Sequence, residues 1–589
     1  MPSSVQPLTR LCGLETEYAM HCEQTSSILT NRSAHSFTPK DIHFRDIVAE
    51  LKKQSPTAPP AAEKTGVFLA NGGAVWFESL LPGLNEGLFE ACTPECNRPL
   101  DVVAASRAMD ALLIKATDNL PGHPVRLLKN CTDDLGSSYG AQENYEVEAF
   151  GESDESSWNT KMNLLRLVTR VNFGLVAISF FLPLILITFF GPAVILAGAT
   201  LWAWYCWKLG RRLSAGEVLY SLMSLVLMPK MLCVSLFYRS TKIGKTYQAL
   251  TPFLVSRVIF SGAGSLDRKG RFVLGQKAST RNADWLVFSE AHQNAIFSFN
   301  PVFKQLAREL SKPHECTAES TSRQRLSLSI GDSNMCQEAE YLRIATTTLV
   351  LDAIEAGAII ETPALTRTIG SLHKINRDPK LQVRVNTSRG QMTAIEIQQF
   401  YLNACRRYVE SLDDAPEEAF DILKRWSDVL FQLQNNPDQL FGRIDWVTKR
   451  ALMRHTEKQL ASVQQPNQTS QTRKKCEFQR SPNLLALRKI DAKYHELSKD
   501  GYYYQLFDQF LTAPVLSGSS VEEAGRMPPL VTSAAQRSRH IREFGDLIEW
   551  ITWDSVKLRT SARIIRFNQK SIAEMIAELP QPATGNSTG

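Results

Sequence analysis

The chain has 589 residues, 43% of them hydrophobic and 21% charged, with a net charge of +6. This is the composition of a globular protein, not of a disordered one, and the length allows for about three to four domains. No Lys/Arg-rich face stands out, which argues against a nucleic-acid partner. Eleven cysteines are too sparse for a disulfide scaffold. Cys92 and Cys96 form the closest pair, but no second pair or histidine cluster completes a zinc site. The thiols therefore read as mostly buried and reduced, as in a cytosolic domain.

Taken in chain order, Met1 to Thr9 lacks the apolar core of a signal peptide. Gly13 to Tyr18 reads as a strand, Ser26 to Lys64 as a polar loop or peripheral element, and Gly66 to Ala104 as strands and turns. Lys129 to Tyr145 reads as a loop rich in amides, hydroxyls and glycines. From Val171 to Trp207 there is no charge at all. As one helix this run would be about 56 Å long, against a hydrocarbon core of about 30 Å. Gly191-Pro192 sits near its middle, so two short crossings joined by a tight turn fit better. Arg166 and Arg170 precede the run, and Lys208, Arg211 and Arg212 follow it, which puts both ends on the cytoplasmic side. Val218 to Tyr238 is apolar but broken by Pro229-Lys230, and so reads as an interfacial or re-entrant helix. Helical periodicity follows over Ala345–Gly357, Ala394–Leu412 and Glu417–Gln434. Leu460 to Pro482 reads as a mobile polar loop, and Pro580 to Gly589 as a disordered tail.

Period-two alternation puts Glu15 and Glu17 on one strand face, and Ala74, Trp76 and Glu78 on one face of another strand. Glu90 and Glu95 follow closely. Acids converging on a sheet would offer Mg²⁺ the oxygen ligands it prefers; spacing alone equally allows scattered acids on edge strands. There is no P-loop, no G-x-G-x-x-G fingerprint and no G-x-S-x-G elbow.

GLETEY, FLANG, PEC, KNCTDDLGSSYG-x-x-ENY, LTPFLVSR, IGDSN, TTTLVLDAIEAG, IDWVTKR and TWDSVKL occur in that order. Together they resemble the Pup ligase and depupylase family, the enzymes that attach and remove the prokaryotic ubiquitin-like protein. The resemblance implies an α+β fold similar to glutamine synthetase: an antiparallel sheet with helices and a smaller C-terminal domain, here with an inserted transmembrane hairpin. The expected divisions are catalytic parts over 10–151 and 246–459, the membrane insert over 152–245, the polar loop over 460–482, and a C-terminal domain over 483–579. LTPFLVSR, the SGAGS after it, NRDP and WDSV look closer to the depupylase branch, while IDWVTKR looks closer to the ligase branch.

The resemblance also implies cofactors and roles. ATP and Mg²⁺ are expected, with Glu15 and Glu90 as metal carboxylates, Thr93 touching the nucleotide and Trp553 near the adenine. Glu78 stands where the family has its catalytic aspartate. In a ligase, the γ-phosphate would pass to the modifier's C-terminal carboxylate and a substrate lysine would attack the acyl phosphate. Ala74 stands at an arginine position and Trp76 at a metal-associated tyrosine. Gln142 replaces a histidine, a serine near Ser327 replaces another, and one family segment is not recognisable around Phe303–Ser322. The expected protein is a membrane-anchored, cytoplasm-facing depupylase-like enzyme acting on a Pup-like modifier and its protein conjugates. The alternatives are an impaired paralogue that binds nucleotide or modifier, and an active ligase.

Overall fold

The computed structural model describes residues 7–22, 40–61, 64–78, 87–121, 125–132, 139–151, 154–168, 241–285, 295–298, 322–463, 482–561 and 563–567, with isolated positions between 170 and 200. The chain divides into two compact units, one comprising Met1–Glu146, Ala249–Thr280 and Ser327–Gly589, the other Val147–Gln248 and Arg281–Leu326.

The first unit is built on an antiparallel sheet. Its strands are β1 (Cys12–Cys22), β2 (Thr57–Ala58), β3 (Thr65–Leu69), β4 (Ala74–Glu78), β5 (Leu88–Cys92), β6 (Val125–Leu128) and β7 (Ala141–Glu148). Spatially they run β7-β1-β5-β4-β3-β2, with β6 also paired to β1. β1 alternates as expected: Cys12, Leu14, Thr16 and Tyr18 are buried, whereas Gly13, Glu15 and Glu17 are only partly so. The buried face is covered by helices α1 (Lys40–Gln54) and α2 (Pro99–Asp118). Phe44 of α1 meets Phe77 and Phe89 at 5.5 and 5.4 Å, and Tyr18 stands edge-on to Phe89 at 5.8 Å.

Of the loop or peripheral element expected over Ser26–Lys64, Lys40–Gln54 forms helix α1. Phe44, Ile47, Val48 and Leu51 are buried with the i, i+3, i+4, i+7 spacing of an amphipathic helix, inside a segment whose composition is polar. The strands expected over Gly66–Ala104 also end early, because Pro99 opens α2 at a first-turn position where its missing N–H costs nothing.

The hairpin between β3 and β4 turns at Asn71-Gly72-Gly73. Asn71 Oδ1 accepts from the Gly73 N–H at 3.0 Å, and Gly72 takes φ +81° while packed against Pro528 and Ala534. β4 is buried on both faces up to Glu78, because C-terminal residues cover its other side. Phe68, Trp76 and Cys92 share one core with Ile541, Ile548, Ile551, Val556 and Phe567. The C-terminal residues thus cover the N-terminal sheet within the same unit.

The helix Gln337–Glu355 has nearly every residue buried, as a helix enclosed by its neighbours must. It begins before the expected Ala345 and stops at Gly357, whose φ of +72° suits glycine. Ala394–Glu410 and Glu417–Asn435 are helices close to the expected bounds, the former opened by a Thr393/Glu396 capping box.

In the second unit, residues 155–168 are helical, Phe150 lies 5.1 Å from Trp158, and Tyr247 stacks on Phe297 at 4.5 Å. The hairpin expected over Val171–Trp207 and the segment Val218–Tyr238 fall almost wholly outside the described residues, as do most of the polar loop Leu460–Pro482 and the tail Pro580–Gly589. Among the described residues, no helix is long and apolar enough to cross a membrane.

Candidate functional site

Strand register decides which acids meet. Glu17 pairs with Glu90, and Glu90 with Trp76; Glu15 pairs with Cys92, and Cys92 with Ala74. Directly opposed residues share a face, so Glu15, Glu17, Glu90, Cys92, Trp76 and Glu78 all lie on the sheet face away from α1 and α2. Carboxylate oxygens of Glu17, Glu78 and Glu90 all lie within 4.8 Å of one another.

These acids crowd one another. Burial first, then the charges of Glu15 and Glu78, push the Glu90 carboxyl up to about 8, although Lys64 and the Cys92 thiol, donating at 3.1 Å, oppose this. Burial also raises Glu17, against the pull of Lys277 and of the Gly140 N–H that its carboxylate accepts. A Cβ on Gly140 would sit 2.8 Å from Glu17 Oε1, so a side chain there would push the carboxylate back. Glu78 closes its strand with a half-exposed side chain, 3.5 Å from Lys64 Nζ.

The expected metal pair was Glu15 and Glu90. The close trio contains Glu90 but takes Glu17 in place of Glu15, with Glu78 as its third member. Glu15 accepts instead from Asn144 Nδ2 at 3.2 Å, and Asn144 Oδ1 accepts from Ser327 at 2.8 Å. Gln142 in turn donates to Ser327. Gln142, where the family resemblance expects a histidine, and Ser327, near the second such position, are thus joined by a neutral hydrogen-bonded chain ending on Glu15.

Thr93 is buried, and its hydroxyl accepts from the Leu14 N–H at 3.0 Å. Trp553 packs against the core that holds Trp76 and Cys92, edge-on to Phe68 at 5.1 Å, with the Arg537 guanidinium 4.5 Å from its ring centre. Glu95 does not join the carboxylates: its side chain pairs with Arg537, which also donates to the Gly72 carbonyl at 2.7 Å. Cys92 and Cys96 form no metal pair, since each thiol donates locally, to Glu90 and to the Pro94 carbonyl.

Sequence reasoning singled out neither Lys64 nor Gly140. A hairpin turn at Asn71-Gly72-Gly73 would have placed Lys64 opposite Glu78, had the register been counted through it.

The carboxylate face lies inside a chain-wide likeness to known proteins. The pattern of the Pup-ligase protein family matches residues 10–557. A depupylase from Acidothermus cellulolyticus is 24% identical over 583 residues, covering 93% of this chain and 90% of that protein. A Pup–protein ligase from Acidimicrobium ferrooxidans is 25% identical over 564 residues, covering 93% and 92%. The crystal structure of Pup in complex with its ligase PafA matches with a TM-score of 0.62 at 18% identity, over 97% of this chain and 94% of that one. PafA in complex with ADP matches at 0.57 and 19%, over 94% and 100%. The antiparallel sheet with its helices is therefore a PafA-like α+β fold, and the chain belongs to the Pup-ligase protein family.

Proposed function

We propose that this protein is an ATP- and Mg²⁺-dependent enzyme acting at the isopeptide bond between a Pup-like modifier's C-terminus and a protein lysine, in the direction of cleavage. The observation that carries this reading is the trio Glu17, Glu78 and Glu90 on one sheet face. Three carboxylates supply the hard oxygen donors that Mg²⁺ prefers, and the upward push on Glu90 marks a cluster short of positive charge. Bound there, the ion would neutralise nucleotide phosphate charge. Glu90 is buried and Glu17 is half-buried and held by Gly140, so these two suit a holding role. Glu78, the most exposed of the three, lends the ion one oxygen and is the carboxylate whose other oxygen can reach a substrate and take its proton. Thr93 and the ring of Trp553 are the proposed nucleotide contacts. The depupylase-like motifs favour cleavage over ligation.

A second reading is an impaired paralogue that binds nucleotide or modifier without turnover. It is favoured by the fully buried indole of Trp76 beside the trio and by the pairing of Glu78 with Lys64. Membrane anchoring through 171–207, with the catalytic part facing the cytoplasm, is supported by the uncharged run, its basic flanks and the exposure of Leu164, Leu167, Val171 and Ile178.

The test is release of Pup from a Pup–protein conjugate by full-length protein with Mg-ATP, with Glu78→Gln and Glu90→Gln as controls. Cleavage lost in both variants supports the enzyme. Nucleotide binding by wild type without cleavage, ligation or deamidation leaves the second reading. Recovery of the protein in the soluble fraction without detergent would overturn the anchor.

A further inference from the structure

The residue that meets the carboxylate trio from the next strand is a lysine. Thr65 pairs with Phe77, so Lys64, one residue earlier, falls opposite Glu78. Its Nζ lies 3.5 Å from Glu78 Oε1 and 4.9 Å above the Trp76 ring. The ring itself is held firmly. Trp76 pairs with Gly66, where a Cβ would lie 2.7 Å from the indole Cε3, so the absent side chain lets the indole lie across β3. Phe68 meets the same ring edge-on at 5.0 Å. The ammonium is thus placed between an aromatic face and a carboxylate, both of which attract a cation.

One of the trio's carboxylates is therefore already engaged by a tethered cation. A divalent ion entering among Glu17, Glu78 and Glu90 needs the same Glu78 oxygens.

We propose that Lys64 is a positioning residue that exchanges charge at this site: its ammonium holds Glu78 when the metal is absent, gives Glu78 up when the metal enters, and then lies free beside the metal to meet an anionic, phosphate-bearing ligand. The inference rests on the metal-site reading above. It assigns to one lysine two effects of opposite sign. Lys64 weakens binding of the bare cation, because it competes for a carboxylate, and strengthens binding of a metal–nucleotide complex, because it adds a positive charge beside the phosphates.

The experiment measures Mn²⁺ alone, and then ADP at saturating Mn²⁺, on full-length wild type, Lys64→Met and Lys64→Arg, by calorimetry. Both partners of the ion pair are half-exposed, which keeps each effect modest. Lys64→Met is expected to bind Mn²⁺ about fivefold tighter and ADP about fivefold weaker, with Lys64→Arg close to wild type in both. A structural role would move both affinities in the same direction, and that result overturns the proposal, as does unchanged Mn²⁺ affinity in Lys64→Met. If wild type binds no Mn²⁺, the carboxylate-site reading falls, and the role of Lys64 with it. If wild type binds and Lys64→Met binds no tighter, only the role of Lys64 falls. Thermal melts of the metal-free variants identify any that fail to fold, for which Lys64→Gln is the substitute.

Discussion

Two buried glutamates on neighbouring parts of one sheet behave in opposite ways. Glu143 on β7 is wholly buried, yet its carboxyl is held below its ordinary value, because Arg257 and Arg343 outweigh the burial. Arg257 meets it with two nitrogens, at 2.7 and 2.9 Å, and the Tyr145 hydroxyl donates at 2.7 Å. Glu90 on β5 is nearly as buried but faces Glu15, Glu17 and Glu78, and it is driven up to about 8. The first carboxylate is matched inside the protein and the second is not. Unmatched buried charge is costly and marks a place built to receive something. Matched charge marks scaffold.

The largest effect should come from unmatching Glu143. Arg257→Met leaves the buried carboxylate with Arg343 at 3.7 Å as its remaining ion pair. The expected loss is about 3–5 kcal/mol of unfolding free energy, read by urea titration. Glu90→Gln, by contrast, removes a group that its neighbours already disfavour, so the metal-free protein should unfold at the same urea concentration or a higher one. Equal losses in the two variants would mean that both acids are scaffold.

A ligand separates the two regions next. At 100 times its Kd, Mg-ATP should stabilise wild type by about 2.7 kcal/mol. That shift should vanish in Glu90→Gln and Glu17→Gln. Glu15→Ala should retain more of it, since Glu15 lies outside the close trio and is engaged by Asn144. An unchanged shift in Glu17→Gln would return the first metal position to Glu15.

The pH dependence of the metal-free protein follows from the same cause. Glu90 titrates near 8 in the folded chain, against 4.5 as its ordinary value. Between those values the folded state holds a proton that the unfolded state has released. Its contribution is therefore complete below about pH 4.5 and is lost as the pH rises through 8. The slope attributable to one such group is at most about 1.4 kcal/mol per pH unit. Unfolding measured between pH 5.5 and 8.5 should show the decline in wild type and a flatter profile in Glu90→Gln. Saturating Mg²⁺ should flatten the wild-type profile too.

The comparison also explains what could be read from the sequence. Alternation in CGLETEY and the run of acids along β1, β4 and β5 are local patterns, and both were legible. That Glu17, and not Glu15, stands in the close trio depends on strand register and on the approach of Gly140, which no single strand contains. Two motifs of the family resemblance, IGDSN and IDWVTKR, are scaffold: Asp332 accepts from the N–H groups of Ala263, Gln276 and Lys277, and Asp445 accepts from those of Met335 and Cys336. They are legible as marks of the fold and silent about chemistry, because their partners lie far along the chain. Helix α1 was missed for a different reason: its apolar stripe is narrow within a polar segment.

The smallest expected effect on stability falls on the residue that decides between enzyme and paralogue. Glu78 is half-exposed at the end of β4, so its substitution should move unfolding by no more than about 0.5 kcal/mol. Any change in turnover then reports on chemistry. Glu78→Asp withdraws the carboxylate by about one methylene, and reacting groups want separations near 3–3.5 Å. It also draws the acid away from Lys64, while Glu17 and Glu90 keep two of the three carboxylates at the metal site. If the wild-type length is adapted to the Trp76 floor beside it, Glu78→Asp should lose activity while keeping the Mg-ATP stability shift. If the extra methylene is what impairs the protein, Glu78→Asp should raise activity above wild type. Release of Pup from a conjugate measures both, and an inactive wild type that Glu78→Asp does not rescue would leave the carboxylate face as a binding site alone.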